Sequence, residues 1–269
     1  MRRLFTLREP PPPLVKRTVG LVGVGLAVFV WFLITLGSTP ETRLVSPVVL
    51  PSPGEVLRSI PTLFTERALV ASTAATLRRV ITGFGLAIVV GVPLGILAGA
   101  YRIFDAFTGP ISVFLRNIPV AVLIPLTILW FGIDETQKVM FIFIATAPFV
   151  FFDATRAVAS VHDRYVETAQ TLGASPAQVV LKVLIPLAMP DIYNSLRSLF
   201  GLAFGYIMLA ELANAKSGIG ALIINSQRRG LNEHIYLCLF IITTVAWGID
   251  RSIMLLQRQL FPHIKHGEN

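Results

Sequence analysis

Long runs of apolar residues without a single charge are the feature that most restricts how this chain can fold. Val80–Tyr101 is a run of 22 uncharged residues, and Val19–Leu36 is a run of 18. A helix that crosses the hydrocarbon core of a bilayer needs about 20 mostly apolar residues. Only 14% of the 269 residues are charged, whereas a soluble domain carries about 25%. The chain is therefore predicted to be an all-α protein that crosses a membrane several times.

The apolar blocks predict about six transmembrane helices. They cover Val19–Leu36, Val80–Tyr101, Gly109–Ile133, Thr136–Val158, Asp191–Ala213 and Ile235–Arg251. Arg116 and Asn117 interrupt the third block, and the last three blocks have shorter uncharged centres, so five helices remain the alternative. In the second block, Gly91 and Gly95 have the spacing of small residues that lets membrane helices pack closely.

Residues 37–79, between the first two predicted spans, are rich in proline and contain the start signal of a short helix. Ser52 followed three residues later by Glu55 fits a capping box, and Pro53 occupies the first helical position. The apolar residues that follow favour a short helix on the membrane surface, and a plain connecting loop is the alternative.

The distribution of lysine and arginine predicts the orientation of the spans. Twelve of them fall on the side of the N-terminus and nine on the other side, which places the N-terminus in the cytoplasm. The predicted organisation is a cytoplasmic arm at 1–18, a first span at 19–36, an outer-face loop at 37–79, a core at 80–259 with a cytoplasmic loop at 160–186, and a cytoplasmic tail at 260–269. The net charge of +8 is assigned to contacts with membrane lipid. No basic run is interleaved with aromatic residues, so nucleic acid is not predicted as a partner.

The 160–186 loop carries the local signals of two short helices joined by a turn. The first is predicted over Asp163–Leu172 and ends at Gly173, which can adopt the left-handed conformation that terminates helices. Ser175 and Gln178 then form a capping box around a proline at the first helical position. Pro186 is expected to end the second helix one residue before it. Such a rigid hairpin either binds a partner protein or is a hairpin that has no partner.

The loop contains Glu167, Ala169 and Gly173, with Pro186 and Pro190 downstream. At these positions the sequence resembles the binding-protein-dependent permeases of ABC importers, whose signature reads E-A-A-x-x-x-G followed by apolar residues and prolines. The one departure is Thr168, where the family usually has alanine, and a residue this small still fits a tight groove.

The resemblance extends from about Val49 to Gln259 and is to the nitrate, sulfonate and taurine branch of the family. The matching segments are Leu50–Pro53, Gly91–Gly95, Leu115–Pro119, Ile124–Leu126, Trp130–Ile133, Ala210–Glu211 and Gly218–Gly220. The tail Phe261–Asn269 departs from the basic, tryptophan-containing ending usual in that branch. The resemblance implies the transmembrane fold of type I ABC importers, in which the 160–186 loop carries the coupling helix.

The same resemblance implies a set of partners in a bacterial cytoplasmic (inner) membrane. Two copies of the permease, as a homodimer, would surround the pathway, and two ATP-binding cassette ATPase subunits would each hold one 160–186 loop. A periplasmic or lipid-anchored binding protein would deliver the substrate. This chain has no G-x-x-x-x-G-K-[ST] sequence to cradle phosphates. It is therefore expected to bind no cofactor, with ATP and Mg held by the ATPase.

The resemblance also implies which residues contact the ATPase and what is transported. The implied contact residues are Glu167, Thr168, Ala169, Leu172, Gly173, Ala174, Ser175 and Pro176. Glu167 would be an acidic anchor, Ala169 a point of close approach, and Gly173 a turn. The branch implies a small anion such as nitrate, a sulfonate such as taurine, or bicarbonate. Related permeases carry pyrimidine vitamin precursors or other small organic molecules, which remain the alternative.

Four polar residues inside the predicted spans are the predicted lining of the translocation pathway. They are Arg116, Asn117, Arg197 and Glu211. A charge at the centre of a span costs about 2.5–3.5 kcal/mol on insertion scales, so these side chains should face protein or water. Arg116 either attracts anions or snorkels to the nearer surface. Glu211 either pairs with a basic group on another helix or, as the favoured interpretation, lies near the outer surface.

Two other function classes are weighed against the importer. An ion-coupled transporter or channel would need a midplane cluster of ionisable residues or broken helices related by a repeat, and the sequence shows neither. A membrane-embedded enzyme is not indicated, because no catalytic set of residues is recognisable. The single cysteine, Cys238, excludes a disulfide within the chain. His263 and His266 lie in the tail, where a solvated pair is expected rather than a metal site.

Overall fold

The computed structural model describes residues 12–37, 42–65, 68–214 and 216–262, and their regular structure is helical throughout, with no strand. The helices are α1 (Pro13–Ile34), α2 (Pro53–Arg58), α3 (Ile60–Thr65), α4 (Leu69–Ala100), α5 (Arg102–Arg116), α6 (Val120–Phe131), α7 (Glu135–Ala159), α8 (Asp163–Thr171), α9 (Pro176–Val179), α10 (Ile185–Asn214), α11 (Ile219–Arg228) and α12 (Asn232–Leu260). The predicted arm up to position 11 and the predicted tail from His263 onward, with His266, lie outside the described residues.

The described residues form two compact units. The first contains those up to position 65 together with Asn225–Leu239, and the second contains 68–224 and those from 240 onward. Within the first unit, the capping box of α2 is complete, because Ser52 and Glu55 each cap the other's backbone N–H. The indole N–H of Trp31 donates to the carbonyl of Pro51 at 3.0 Å. The short helix predicted after Pro53 is therefore confirmed.

An ion pair ties the loop before α2 to that helix and makes its stability depend on pH. The guanidinium of Arg43 lies 2.9 Å from the Glu55 carboxylate and, by hydrogen bonding, lowers the pKa of Glu55 to about 2 from its usual 4.5. A depressed carboxyl pKa contributes stability above pH 4.5 that is lost as the pH falls toward 2. We expect proteolysis within 42–65 to accelerate over this window, and Glu55→Gln to abolish the pH dependence.

Helices α4 and α7 form the centre of the second unit and run parallel. Gly83 of α4 lies against Ile142 of α7, and Gly99 lies against Val158, so the contacts advance in the same direction along both helices. Glycines at this face let the two backbones approach closely. The chain must therefore return from the end of α4 to the start of α7 between them.

The third predicted span makes this return as two helices rather than one. α5 and α6 are bent by 99° at the break between them. Pro119 disfavours a helical conformation at the residue before it, which explains a break at this point. Among the described residues, five helical stretches are long and apolar enough to span a membrane, and the bent pair counted as one crossing makes six, as predicted. The second span, however, begins at Leu69 and not at Val80, which places Arg79 inside a helix instead of in the outer loop.

Helix α10 runs opposite to α4 and α7 and is continuous with α9. The prediction that Pro186 ends the second helix of the 160–186 loop is wrong, because the chain is helical from Pro176 to Asn214. Val180–Leu184 forms a π turn in which Ile185 donates its N–H to the carbonyl of Val180. The wider π turn leaves room for the ring of Pro186 beside the preceding turn of helix. Proline has no backbone N–H, so it leaves no donor unsatisfied at this position. The fifth span therefore starts before its predicted first residue.

Candidate functional site

The 160–186 loop forms the predicted hairpin around Gly173, where the left-handed backbone has a φ of 82°. The N–H of Gly173 donates to the carbonyl of Gln170 at 2.9 Å, and that of Ala174 donates to the carbonyl of Ala169 at 3.0 Å. This pair of bonds is a Schellman motif, which satisfies the last carbonyls of α8. Ser175 then caps α9 in a complete capping box. Both the turn and the second helix start are confirmed.

The hairpin presents its outer surface to solvent from a rigid apolar base. No residue of α8 is buried, and Leu172 at the tip is 82% exposed. On the other side, Val166, Ala169 and Ala174 pack against a core that is formed mainly by the last turns of α7 and the start of α10. A force applied to α8 is therefore transmitted directly to two spans, because packed cores deform little.

The structure separates the predicted contact residues into two groups. Glu167, Thr168, Leu172, Gly173, Ser175 and Pro176 are exposed, and Ala169 and Ala174 are partly buried against the core of the same chain. The Thr168 hydroxyl donates to the carbonyl of Arg164 at 2.6 Å, so its polar group is satisfied within α8. Contact of these residues with an ATPase remains a prediction.

At the opposite end of the second unit, Glu211 is buried, which corrects the preference for a position near the outer surface. The residue is 1% exposed, and its carboxylate accepts a hydrogen bond from the guanidinium of Arg79 at 2.6 Å. It also accepts from the hydroxyl of Thr76 at 2.9 Å and from the N–H of Gly220 at 2.9 Å. The other predicted possibility, a basic partner on another helix, is the one found.

Arg79 links this carboxylate to a second one and to the chain after α10. Its guanidinium bonds to Glu135, at the start of α7, at 2.6 Å and 2.5 Å, and to the carbonyl of Ser217 at 2.8 Å. A side chain at Gly218, where φ is 114°, would collide with the Glu211 carboxylate. The network thus joins α4, α7, α10 and the start of α11, and it requires glycine where the chain passes over Glu211.

Arg197 is also paired, with Asp250 of α12. Its guanidinium donates two bonds to that carboxylate, at 2.6 Å and 2.7 Å. The hydroxyl of Tyr193, one turn earlier, donates to the carbonyl of Ile253 at 3.0 Å. Residue numbers therefore increase along α10 as they decrease along α12, so the two helices are antiparallel. The two hydrogen bonds between Arg197 and Asp250 hold the helices in register.

Arg116 and Asn117 lie together at the end of α5. The amide of Asn117 donates to the carbonyl of Val113 at 2.7 Å and satisfies the helix end. The guanidinium of Arg116 lies over the ring of Phe152 in α7, 3.4 Å from its centroid. The structure does not bring the four predicted pathway residues together, because Arg197 and Glu211 lie elsewhere along α10. A pathway role for each of them remains a prediction.

Sequence reasoning missed the partners of the intramembrane charges. Arg79 was assigned to a loop because it precedes the longest uncharged run, and Glu135 and Asp250 fell at the ends of apolar blocks. A search for opposite charges within the predicted spans and directly beside their ends would have found them as possible partners. Their pairing, however, depends on which helices are neighbours.

The comparisons with known proteins agree with this architecture. Residues 91–266 match the family described as binding-protein-dependent transport system inner membrane component. The taurine transport system permease protein TauC of Escherichia coli (strain K12) is 32% identical over 271 residues, which cover 99% of this chain and 95% of that protein. The bicarbonate transport system permease protein CmpB of Synechocystis sp. (strain PCC 6803) is 31% identical over 198 residues, which cover 73% of this chain and 71% of that protein.

Solved structures share the fold. An inward-facing structure of the MetNI methionine ABC transporter has a chain with a TM-score of 0.55 and 23% identity, covering 70% of this chain and 97% of its own length. A chain of a bacterial ABC transporter involved in the import of the acidic polysaccharide alginate has a TM-score of 0.56 and 19% identity. The match covers 91% of the present chain and 97% of the transporter chain. The helical architecture and these sequence matches show that the chain belongs to the family of binding-protein-dependent transport system inner membrane components, the membrane-spanning permeases of ABC importers.

Proposed function

We propose that this chain works as one of two permease subunits that are driven by separate ATPase subunits through the 160–186 loop. The observation that carries the proposal is the exposed helix α8, with no buried residue, on a base that is packed into α7 and α10. One face of α8 packs on this base through Val166 and Ala169, while the face with Glu167 and Thr168 is exposed and suited to a groove on a partner. The relation to ABC importer permeases supports an ATPase as that partner.

The geometry supports a rigid-lever coupling. α9, the π turn and α10 are one continuous helical stretch, so a displacement of the hairpin is passed on to the fifth span. ATP binding and hydrolysis would take place on the ATPase, with its Mg. The permease would alternate access by rigid-body movement of its spans, with the second copy of this chain completing the pathway and an external binding protein loading it. In this arrangement the chain would lie in the bacterial cytoplasmic membrane with its 160–186 loop inside.

For the substrate, we propose a small anion of the sulfonate or bicarbonate kind. The support is the similarity over most of the chain to permeases named for taurine and bicarbonate transport. Nitrate belongs to the same class of small anions. A pyrimidine vitamin precursor is the alternative, and uptake assays with the complete transporter would distinguish it.

Glu167→Lys combined with Gly173→Asp is expected to abolish the association with the ATPase. The first change reverses the charge of the exposed surface of α8. The second adds a charged side chain at a turn where φ is 82°, a conformation that glycine adopts more readily than other residues. We expect recovery of the ATPase in a pull-down of the membrane complex to fall at least about tenfold, which corresponds to a loss of about 1.4 kcal/mol.

Glu233→Lys combined with Gly230→Asp is the matched control. It repeats both changes in the first unit, at a glycine with a φ of 72°. This variant and the test variant should insert into the membrane at the level of the parent protein. Retention of the ATPase by the Glu167 and Gly173 variant, or an equal loss in the control, would refute the coupling role.

A further inference from the structure

Two arginines from different helices share one aromatic ring near the end of α7 that carries the 160–186 loop. The guanidinium carbon of Arg116, at the end of α5, lies 3.4 Å from the ring centroid of Phe152. That of Arg156, one turn further along α7, lies 5.6 Å from the same centroid. The face of an aromatic ring attracts cations, so Phe152 holds both positive groups in one place.

This cluster lies inside an apolar span. Phe152 is seven residues from the end of α7 at Ala159, about 10 Å along a helix. Bringing two like charges together at this depth is unfavourable unless an anion accompanies them.

The protein supplies only part of that negative charge. Asp153 interacts electrostatically with both Arg116 and Arg156, but among the described residues it forms an ion pair with neither. The buried Nε of Arg116 has no hydrogen-bond acceptor among the described residues. With one carboxylate against two guanidiniums, the cluster keeps a net positive charge.

The guanidinium of Arg116 lies over the face of the Phe152 ring. Its N–H donors lie in the guanidinium plane, in a geometry that matches the paired oxygens of a sulfonate or carboxylate-like anion. Asn117, the next residue, is exposed and gives a position beside the cluster at which a thiol can be placed.

We propose that Arg116 and Arg156, held on Phe152, form an anion-binding station on the translocation pathway, near its end at the 160–186 loop. The station would accept a small oxyanion in transit and release it, since Asp153 offsets part of the attraction. This inference rests on the proposed function, because it assigns to the same pathway the class of substrate suggested by the sequence relatives.

A pair of thiol reagents of opposite charge tests the local potential without any transported substrate. In a parent protein with Cys238→Ala, which leaves no native cysteine, Asn117→Cys places one thiol beside the cluster. Its rate of modification is measured in the membrane-embedded complex with the anionic sulfonatoethyl and the cationic trimethylammonioethyl methanethiosulfonate. Each rate is divided by that of a free thiol. The anionic reagent is itself a small alkanesulfonate.

We expect the anionic reagent to react faster, and the anion-to-cation rate ratio to fall about fivefold to tenfold on adding Arg116→Gln or Arg156→Gln. Arg116→Lys retains the charge and should preserve most of the ratio. Arg102→Gln, at the other end of α5 and about 21 Å away along the helix, is the control and should leave the ratio unchanged. Arg156 is exposed, so its variant provides the test even if Arg116→Gln fails to assemble. An unchanged ratio in both glutamine variants, or no reaction with either reagent, would overturn the proposal.

Uptake of radiolabelled ethanesulfonate by proteoliposomes that contain the complete transporter separates this inference from the proposed function. If the station operates in transport, Arg156→Gln should raise the KM for uptake several-fold while the ATPase remains associated. A parent protein that moves no anion, yet shows the predicted rate ratio, would refute the proposed substrate class alone. A parent protein that imports ethanesulfonate with a ratio independent of both arginines would refute the station alone.

Discussion

Glu211→Ala is expected to lower the free energy of unfolding by about 3–5 kcal/mol, the usual cost of removing one partner from a buried ion pair. The substitution leaves Arg79, which is 1% exposed, with one of its two carboxylates. It also removes the acceptor for Thr76 and for the N–H of Gly220, and each unsatisfied buried donor adds to the cost. The junction between α10 and α11 should loosen first, because its bonds converge on this carboxylate.

The measurement is thermal unfolding of the protein in lipid nanodiscs, with hydrogen exchange to locate the loosened segment. Glu211→Gln should lose less stability than Glu211→Ala, because the amide oxygen still accepts one bond. Asp250→Ala removes the carboxylate that pairs with Arg197. The side chain of Asp250 is 46% exposed, so the loss should cost about 0.2–1 kcal/mol. Equal losses for Glu211→Ala and Asp250→Ala would show that burial does not govern the contribution of these pairs.

Gly95→Ala is expected to destabilise the contact between α4 and α7 by about 1–3 kcal/mol, the range for overpacking a close interface. The added methyl group would lie 2.5 Å from the carbonyl oxygen of Phe151 and 2.6 Å from the Cβ of Ala154. The first of these atoms belongs to the backbone of α7, so the two helices have to move apart. Parallel spans that meet along this face then lose contacts over several turns.

Gly85→Ala is the matched control for the contact between α4 and α7. It lies in the same helix and no atom lies within 4 Å of the added Cβ, so alanine should be neutral or stabilise the helix by up to about 1 kcal/mol. Both variants are compared by thermal unfolding under identical conditions. A loss of stability at Gly85 as large as that at Gly95 would rule out the close approach of α7 as the cause.

The features predicted correctly from sequence are those set by neighbours along the chain. The capping boxes of Ser52 and Ser175 and the left-handed turn at Gly173 depend on residues within one turn of each other. The prediction at Pro186 failed although it was equally local. A proline normally interrupts a helix, but the π turn before it offers another solution, and packing of this region against α7 helps to stabilise that choice.

The intramembrane charges show the limit of sequence reasoning. Arg197 and Glu211 lie 14 residues apart on α10, about 21 Å along a helix, so they cannot pair with each other. Which partners they do have depends on neighbouring spans: Glu211 meets Arg79 from 132 residues away, and Arg197 meets Asp250 from 53 residues away. No periodicity within a single span carries that information.

By itself the sequence determined that this is a helical membrane protein with an exposed hairpin between two spans, because apolar length and helix capping act over a few turns. The tertiary structure alone decided that α4 and α7 are parallel, that the third predicted span is two helices bent by 99°, and that buried Glu211 pairs with Arg79. In lipid a charge must find its partner on another helix, so the outcome depends on how the helices assemble and not on the order of residues within any one of them.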